Sequence, residues 1–349
     1  MPLKDVIGQS FATGLLLSNI RNGRVAHAYL FHGPEGAGKE DAATAFAMAL
    51  LCRTPLENAD ACGECAACRK VAPRDDAPDG IHPDLIRIRI GVGEFAVKTR
   101  ISIDQIRRDV MDKLAYAPLE GNARVIIVHD ADTLSLGGGG SANAFLKTLE
   151  EPPRNNYFIL LAPSAAQTLD TIRSRCRIIP FAPLPSATIE SALAKEFTLP
   201  PSDLRLAASL AGGSIEKARK IAAGNEEIEL RSETLALWLK LRNGSDAGLD
   251  ALERTVGRDG DDLSAMVSAL FSFYRDLLFV KENLSEGGKA LINLDFRKEL
   301  DFLSERADKR NVLNFLEILT NVRKDIMVNV NAQAIIETLY FEARRLSVI

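Results

Sequence analysis

Hydrophobic and polar positions along this chain change rhythm near its middle. Over the first 180 or so residues, short apolar runs alternate with amphipathic stretches. Residues 10–22 carry Leu15, Leu16 and Ile20 among polar positions, as a helix does. Ala28 to His32 is a short apolar run that stops at a glycine-rich loop. Lys39 to Leu51 sets Ala43, Phe46, Ala47 and Leu50 at helical spacing. From Asp84 to Ile90, Ile86, Ile88 and Ile90 alternate with Arg87 and Arg89, the pattern of a half-exposed strand. Residues 101–117 read as helical. Val125 to Val128 is continuously apolar, which suits a strand buried on both faces. Ser141 to Glu151 predicts a helix closed by Pro152-Pro153, and Phe158 to Ala162 and Arg177 to Phe181 predict further strands. Strands alternating with helices predict a parallel α/β sheet.

After Pro185 the strand signals stop, and Ala, Leu and charged residues recur at helical periods. Residues 186–223 predict a small helical unit with a turn at Gly212-Gly213, and residues 226–349 a larger one. Gly257 to Gly260 and Gly287-Gly288 predict inter-helix turns, and Gly137 to Gly140 a mobile turn before the Ser141 helix. The expected domains are an α/β domain at 1–184, a helical lid at 185–224 and an all-α domain at 225–349. Within the last, Leu263, Met266, Val267, Leu270, Phe271, Tyr274, Leu277, Leu278 and Val280 form a stripe too broad for one thin helix face. It predicts burial on two sides, either in an assembly or in the chain's own core.

Composition narrows the class. Hydrophobic residues make up 46% of the chain, ample for several cores. A formal net charge of −4 argues against strong autonomous binding to DNA, which draws on a concentrated basic face. No stretch nears the ~18 consecutive apolar residues of a membrane span. The first residues include Lys4 and Asp5 and no apolar run, so no secretory signal is expected and a cytoplasmic location is. Clustered cysteines are then metal ligands before they are disulfides.

Three motifs carry chemistry. The first is Gly33-Pro34-Glu35-Gly36-Ala37-Gly38-Lys39-Glu40, between a predicted strand and a predicted helix. It follows the phosphate-loop pattern G-x-x-x-x-G-K-[ST] up to its last position. The hydroxyl that should ligate Mg²⁺ is replaced by Glu40, whose charge opposes a polyphosphate. The backbone N–H groups of Gly33, Gly36 and Gly38, with Lys39, could still cradle phosphates, so ATP and Mg²⁺ binding stays open, with weak or absent binding expected.

The second motif is Cys52, Cys62, Cys65 and Cys68, spaced C-x9-C-x2-C-x2-C, the first just before and the others within an insert at 53–83 rich in turn residues. Four thiolates at such spacing make the closed shell of a structural zinc. An iron–sulfur cluster is the alternative ligand set, and four unligated thiols the plain reading. The third is the apolar run Val125 to Val128 ending in His129-Asp130, with Asp130 aimed at a Mg²⁺ shell or simply capping a strand. The next residue is Ala131, which can neither take a proton nor orient water.

These pieces, taken in order, resemble the clamp-loader ATPases of the AAA+ superfamily. The matching text is Val6-Ile7-Gly8-Gln9, His27-Ala28-Tyr29-Leu30-Phe31, the four cysteines, Ile103-Asp104-Gln105-Ile106-Arg107, the stretch from Ala142 to Pro153, and Ser174-Arg175-Cys176. It spans residues 6–176, half of the chain, and is most similar to the delta-prime branch of bacterial DNA polymerase III. The last third is similar only in being helical, as the family's collar domain is.

The resemblance implies a ring-like pentamer with gamma/tau and delta subunits. That assembly opens a sliding clamp and closes it around primer-template DNA, without a membrane. It implies that Arg175, with Ser174 and Cys176, is a trans-acting arginine finger for a neighbour's ATP site. It also implies four losses in cis, at Glu40, Ala131, Ala162 (the first sensor position) and Glu216 (the second sensor arginine). That pattern fits a subunit that donates a finger without burning ATP. Two other readings stand beside it: an active gamma- or tau-type ATPase, and an adaptor working outside replication.

Overall fold

The computed structural model describes all residues except 75, 95, 98, 137–139, 225, 242–251, 255–259, 285–290, 327–330 and 347–349. The expected turns at Gly137–Gly140, Gly257–Gly260 and Gly287-Gly288 lie wholly or mostly outside the described residues. The described chain divides into two compact units. One comprises Met1–Ala192 with Gly212–Lys217, and the other Leu193–Ala211 with Ala218–Ile349. The segment 185–224 therefore contributes to both.

In the first unit, strands β1 (Ala28–His32), β2 (Leu85–Ile88), β3 (Arg124–Val128), β4 (Asn156–Ala162) and β5 (Arg177–Pro180) form one sheet in the order β2-β3-β4-β1-β5. Every pairing is parallel, as the alternation of elements predicted. Successive side chains leave opposite faces of a strand, and the two cores follow that period. Tyr29, Phe31, Val125, Ile127, Ile159 and Leu161 join Phe46 of the helix Lys39–Leu51 on one face. Leu30, Ile126, Val128, Phe158 and Leu160 join Phe145 and Leu149 of the helix Gly140–Glu150 on the other. Both faces are covered, which is why β3 is buried at all five positions.

Three local expectations change. The strand read over 84–90 is ordered only over Leu85–Ile88, and the side chain of Arg87 is buried, not solvated, at 5% exposure. The helix read over 101–117 runs over 103–114, with a π-helical stretch at Ile106–Met111. The insert is not all loop: it holds a short helix, Ala66–Val71, whose N-terminus is capped by the Cys65 side chain.

Among the described residues, the second unit is built of helices. Its core gathers Trp238, Tyr274 and Phe315, with the Trp238 indole N–H donating to the Tyr274 hydroxyl at 2.9 Å. The helix Gly260–Lys281 carries the broad apolar stripe, and that breadth is met inside the chain. Leu263, Met266, Val267, Leu270, Tyr274 and Leu277 are buried there among neighbouring helices, while Phe271, Leu278 and Val280 are partly buried. From Asp262 to Lys281 this helix is long and apolar enough to cross a membrane, yet most of it is enclosed by the fold.

Candidate functional site

The glycine loop joins β1 to the helix Lys39–Leu51, as a phosphate loop should. Two of its glycines are demanded by space and dihedral angle. Gly36 has φ +69°, and a Cβ there would sit 1.8 Å from the Ser214 hydroxyl. At Gly33, φ is +154° and a Cβ would meet the Phe181 carbonyl at 2.1 Å. The Gln9 amide donates to the carbonyls of Ala37 (2.8 Å) and Ala182 (2.7 Å), which ties the loop to the chain after β5. Ile215 N–H donates to the Gly36 carbonyl at 3.0 Å. The loop is therefore pinned by its own neighbours.

Beside it lies a cleft of ≈ 280 Å³ lined by Gly36, Lys39, Glu40, Asp130, Ala162 and Glu216 among others. The structure thus brings together the loop, Asp130 at the end of β3 and three of the four departures, Glu40, Ala162 and Glu216. Ala131 is packed in the core behind and is 1% exposed. Asp130 has left-handed backbone (φ +50°), and burial, then nearby Asp132 and Glu35, raises its carboxyl above the usual range. The Lys39 ammonium donates to the Gly33 carbonyl (2.6 Å) and the Pro34 carbonyl (2.7 Å) of its own loop. Burial lowers its pKa, with Glu35 and Glu216 acting in the opposite direction. Glu35, Glu40, Asp130 and Glu216 make this a predominantly acidic lining around one lysine.

Glu40 is held in an ion-pair cluster that the sequence pattern did not reveal. Its carboxylate pairs with Arg89 and lies 3.9 Å from Arg87. The Asp79 carboxylate is ion-paired with Arg89 from the other side at 2.8 Å, and the Asp79 backbone carbonyl accepts from the Arg87 Nε–H at 3.0 Å. Arg87 also donates to the Thr44 hydroxyl at 2.8 Å. His129 Nδ1 is 3.7 Å from Glu40, but burial, and then Arg89 and Arg87, depresses its pKa to about 3, so the imidazole is neutral. The available signal was the Ile-Arg-Ile-Arg alternation itself, which places two cations on one strand face next to the loop.

The four cysteines converge. Their Sγ atoms all lie within 4.8 Å of one another, with Cys52–Cys62 at 3.6 Å, Cys52–Cys65 at 3.9 Å and Cys62–Cys68 at 3.8 Å. Tetrahedral zinc with Zn–S bonds of about 2.3 Å sets S–S edges near ~3.8 Å. This donor set can hold a metal ion. Backbone N–H groups of Cys62, Cys65 and Cys68 point at Sγ atoms of the set at 3.3–3.5 Å, support that favours thiolate. Burial raises the Cys65 thiol, but the N–H groups of Cys68 and Arg53 and neighbouring thiols bring it down to about 6. Asp60, fully buried between Cys52 and Cys62, accepts from the N–H groups of Leu3 (3.0 Å) and Lys4 (3.1 Å), so the insert also clasps the first residues.

Arg175 does not line the cleft. It follows the short helix Asp170–Arg173 at the approach to β5, with one-third of its side chain exposed. Its guanidinium donates to the Thr171 carbonyl (2.8 Å) and to Glu150 (2.6 Å). Cys176 next to it packs against the core, and burial pushes its thiol up to about 12. It is an anchor and not a nucleophile.

A family model described as DNA polymerase III, delta subunit, matches residues 8–185. The DNA polymerase III delta' subunit of Bacillus subtilis is 28% identical over 335 residues, covering 93% of this chain and 93% of its own. The delta' subunit of Pseudomonas aeruginosa is 29% identical over 320 residues, covering 90% of each. The tau subunit of Bacillus subtilis is 28% identical over 350 residues, covering 93% of this chain but 58% of its own length.

Proposed function

The chain belongs to the DNA polymerase III delta-subunit family, and from that premise we propose that it is a delta-prime-type clamp-loader subunit, supporting ATP-driven loading of the sliding clamp onto primed DNA. It works in the cytoplasm with gamma/tau and delta partners, and meets the clamp and primer-template DNA through that complex. The similarity to delta' subunits over nine-tenths of both chains supports the assignment to this branch.

Within the complex the subunit is a stator. One observation carries this reading: the loop cleft holds its own lysine and its own Glu40 in internal bonds, while Arg175 stands partly exposed outside it. A polyphosphate entering the cleft would have to displace the Gly33 and Pro34 carbonyls from Lys39 and face Glu35, Asp130 and Glu216. The residue directly after Asp130 is Ala131, which cannot polarise a water. The chain's own ATP binding is accordingly weak or absent, and it has no ATPase of its own. Its contribution to hydrolysis is Arg175, whose planar fork would stabilise charge on the phosphoryl group transferred in a neighbour's site. The four thiolates hold zinc as a cross-link, and a closed sulfur shell leaves no position for a reacting water. The small helical segment 185–224 acts as the lid and the helices of 225–349 as the collar through which the subunits join.

The test is the complex reassembled with Arg175→Ala. It should assemble normally and load clamps poorly. A finger supplied in trans is worth ~10³–10⁵ in rate at its own site, but only the site facing this subunit loses it, so total ATPase falls in part. Clamp loading at the wild-type rate would overturn the finger role.

A further inference from the structure

The contact between Arg175 and Glu150 carries an inference about how the finger is presented. Glu150 is the last residue of the helix Gly140–Glu150, and Glu151-Pro152-Pro153 follow it. The carbonyl end of a helix carries partial negative charge and favours cations. Two adjacent carboxylates there run against that preference, so their placement has no helix-stability reason. What offsets them is the guanidinium of Arg175, brought from 25 residues downstream to 2.6 Å from Glu150 Oε1.

The backbone that carries Arg175 is fixed separately. Ser174 N–H donates to the Asp170 carbonyl (2.9 Å) and Arg175 N–H to the Ile172 carbonyl (3.0 Å). The side chain is then held at both ends of its fork. Nη1 donates to the Thr171 carbonyl at 2.8 Å and lies 3.4 Å from the Ser174 hydroxyl, and Nη2 donates to Glu150. A guanidinium has five N–H groups. Three are engaged in this way, and the Nε edge with the second Nη2 hydrogen remains for oxygens of a ligand. An arginine otherwise loses its rotamer freedom on being immobilised.

We propose that Glu150 is a positioning residue for Arg175, holding the guanidinium in its presenting orientation so that less freedom is lost when it meets a phosphoryl group in trans. This rests on the reading of Arg175 as a trans-acting finger. Glu150 itself does not touch the nucleotide. The pair is one-third (Arg175) to one-half (Glu150) exposed, so it adds little to folding, and its effect lies in the chemical step.

The experiment is steady-state ATPase of the clamp-loader complex reassembled with each variant and stimulated by clamp and primed DNA. Glu150→Ala should lower kcat by about 2–5-fold, the range an exposed ion pair can contribute, with KM for ATP and complex assembly unchanged. Glu150→Gln, which keeps an acceptor oxygen, should recover most of the loss. Glu150→Lys, which sets two cations against each other, should fall to the level of Arg175→Ala. Glu150→Ala combined with Arg175→Ala should be no slower than Arg175→Ala alone. If Arg175→Ala is slow while Glu150→Ala and Glu150→Lys turn over at or above the wild-type kcat, the positioning role is wrong and the finger reading stands. If Arg175→Ala itself matches wild type, the finger reading fails and this inference fails with it.

Discussion

Glu40 and Arg89 are ion-paired across the gap between the glycine loop's helix and the end of β2, so the residue that closes the phosphate loop is engaged within the protein. In a working loop that position offers a hydroxyl to Mg²⁺. Here the neighbourhood is balanced without one. Glu40 and Asp79 face Arg87 and Arg89, and each carboxylate lies within 4 Å of both guanidinium groups. The substitution is thus part of a built cluster and not an isolated lesion.

The first consequence is catalytic silence that no single reversion repairs. The isolated chain should show no ATPase above background. Glu40→Thr should not create one, because Ala131 still lacks a carboxylate, and the change leaves Arg87 and Arg89 with one counter-charge fewer. Each missing part is worth orders of magnitude in rate. Steady turnover by the pure protein, abolished by Lys39→Ala, would sink this expectation.

The second concerns the cysteines. Protein purified without added metal should contain about one zinc per chain, released by a strong chelator. Cys65→Ser should lose it. Because Asp60 in the same insert bonds the N–H groups of Leu3 and Lys4, removing the metal should also raise hydrogen exchange at those amides. A zinc content near zero, or iron with visible absorbance, overturns the assignment.

Much of this was readable in the sequence, and the failures share one cause. The central strands β1, β3 and β4 announced themselves because strands covered on both faces need continuous apolar runs, as in Val125–Val128. The cysteine cluster was legible from local spacing alone. Period-2 alternation at Ile86–Arg89 gave the faces of the strand correctly but implied that the arginines meet water. What they meet is Glu40 and Asp79, which no local pattern encodes. The breadth of the stripe at 263–280 was likewise visible, but not whether the chain or a partner covers it. The chain's own helices cover most of it. The Glu150–Arg175 pair joins two motifs that were each conspicuous, yet only the fold brings them together.

Truncation separates the two units. A chain ending at residue 224 should keep its α/β unit, which is compact within Met1–Ala192 and Gly212–Lys217, and should keep its metal. It should fail to join gamma/tau and delta, because assembly is assigned to the helices of 225–349. A stoichiometric complex on size exclusion with the truncated chain would remove that assignment.

The last expectation is a pH dependence of stability that runs through His129. The side chain is buried at the end of β3 and faces Glu40, Arg87 and Arg89. Burial, and then the two guanidinium groups, hold its folded pKa at about 3, whereas an unfolded histidine titrates near ~6.5. Above pH 6.5 both states are neutral at this site and it contributes no pH slope. As pH falls below 6.5 the unfolded chain takes up a proton that the folded chain refuses, so the folded state loses ground by up to ~1.4 kcal/mol per pH unit until about pH 3. Between pH 7 and pH 5 that amounts to about 2 kcal/mol. His129→Gln cannot take the proton, so its loss of unfolding free energy over the same interval should be smaller by about that amount. Carboxylates and the other histidines contribute equally to both proteins and cancel in the comparison. Denaturant unfolding at pH 7 and pH 5 checks this, and equal losses for the two proteins would mean that His129 is charged in the fold.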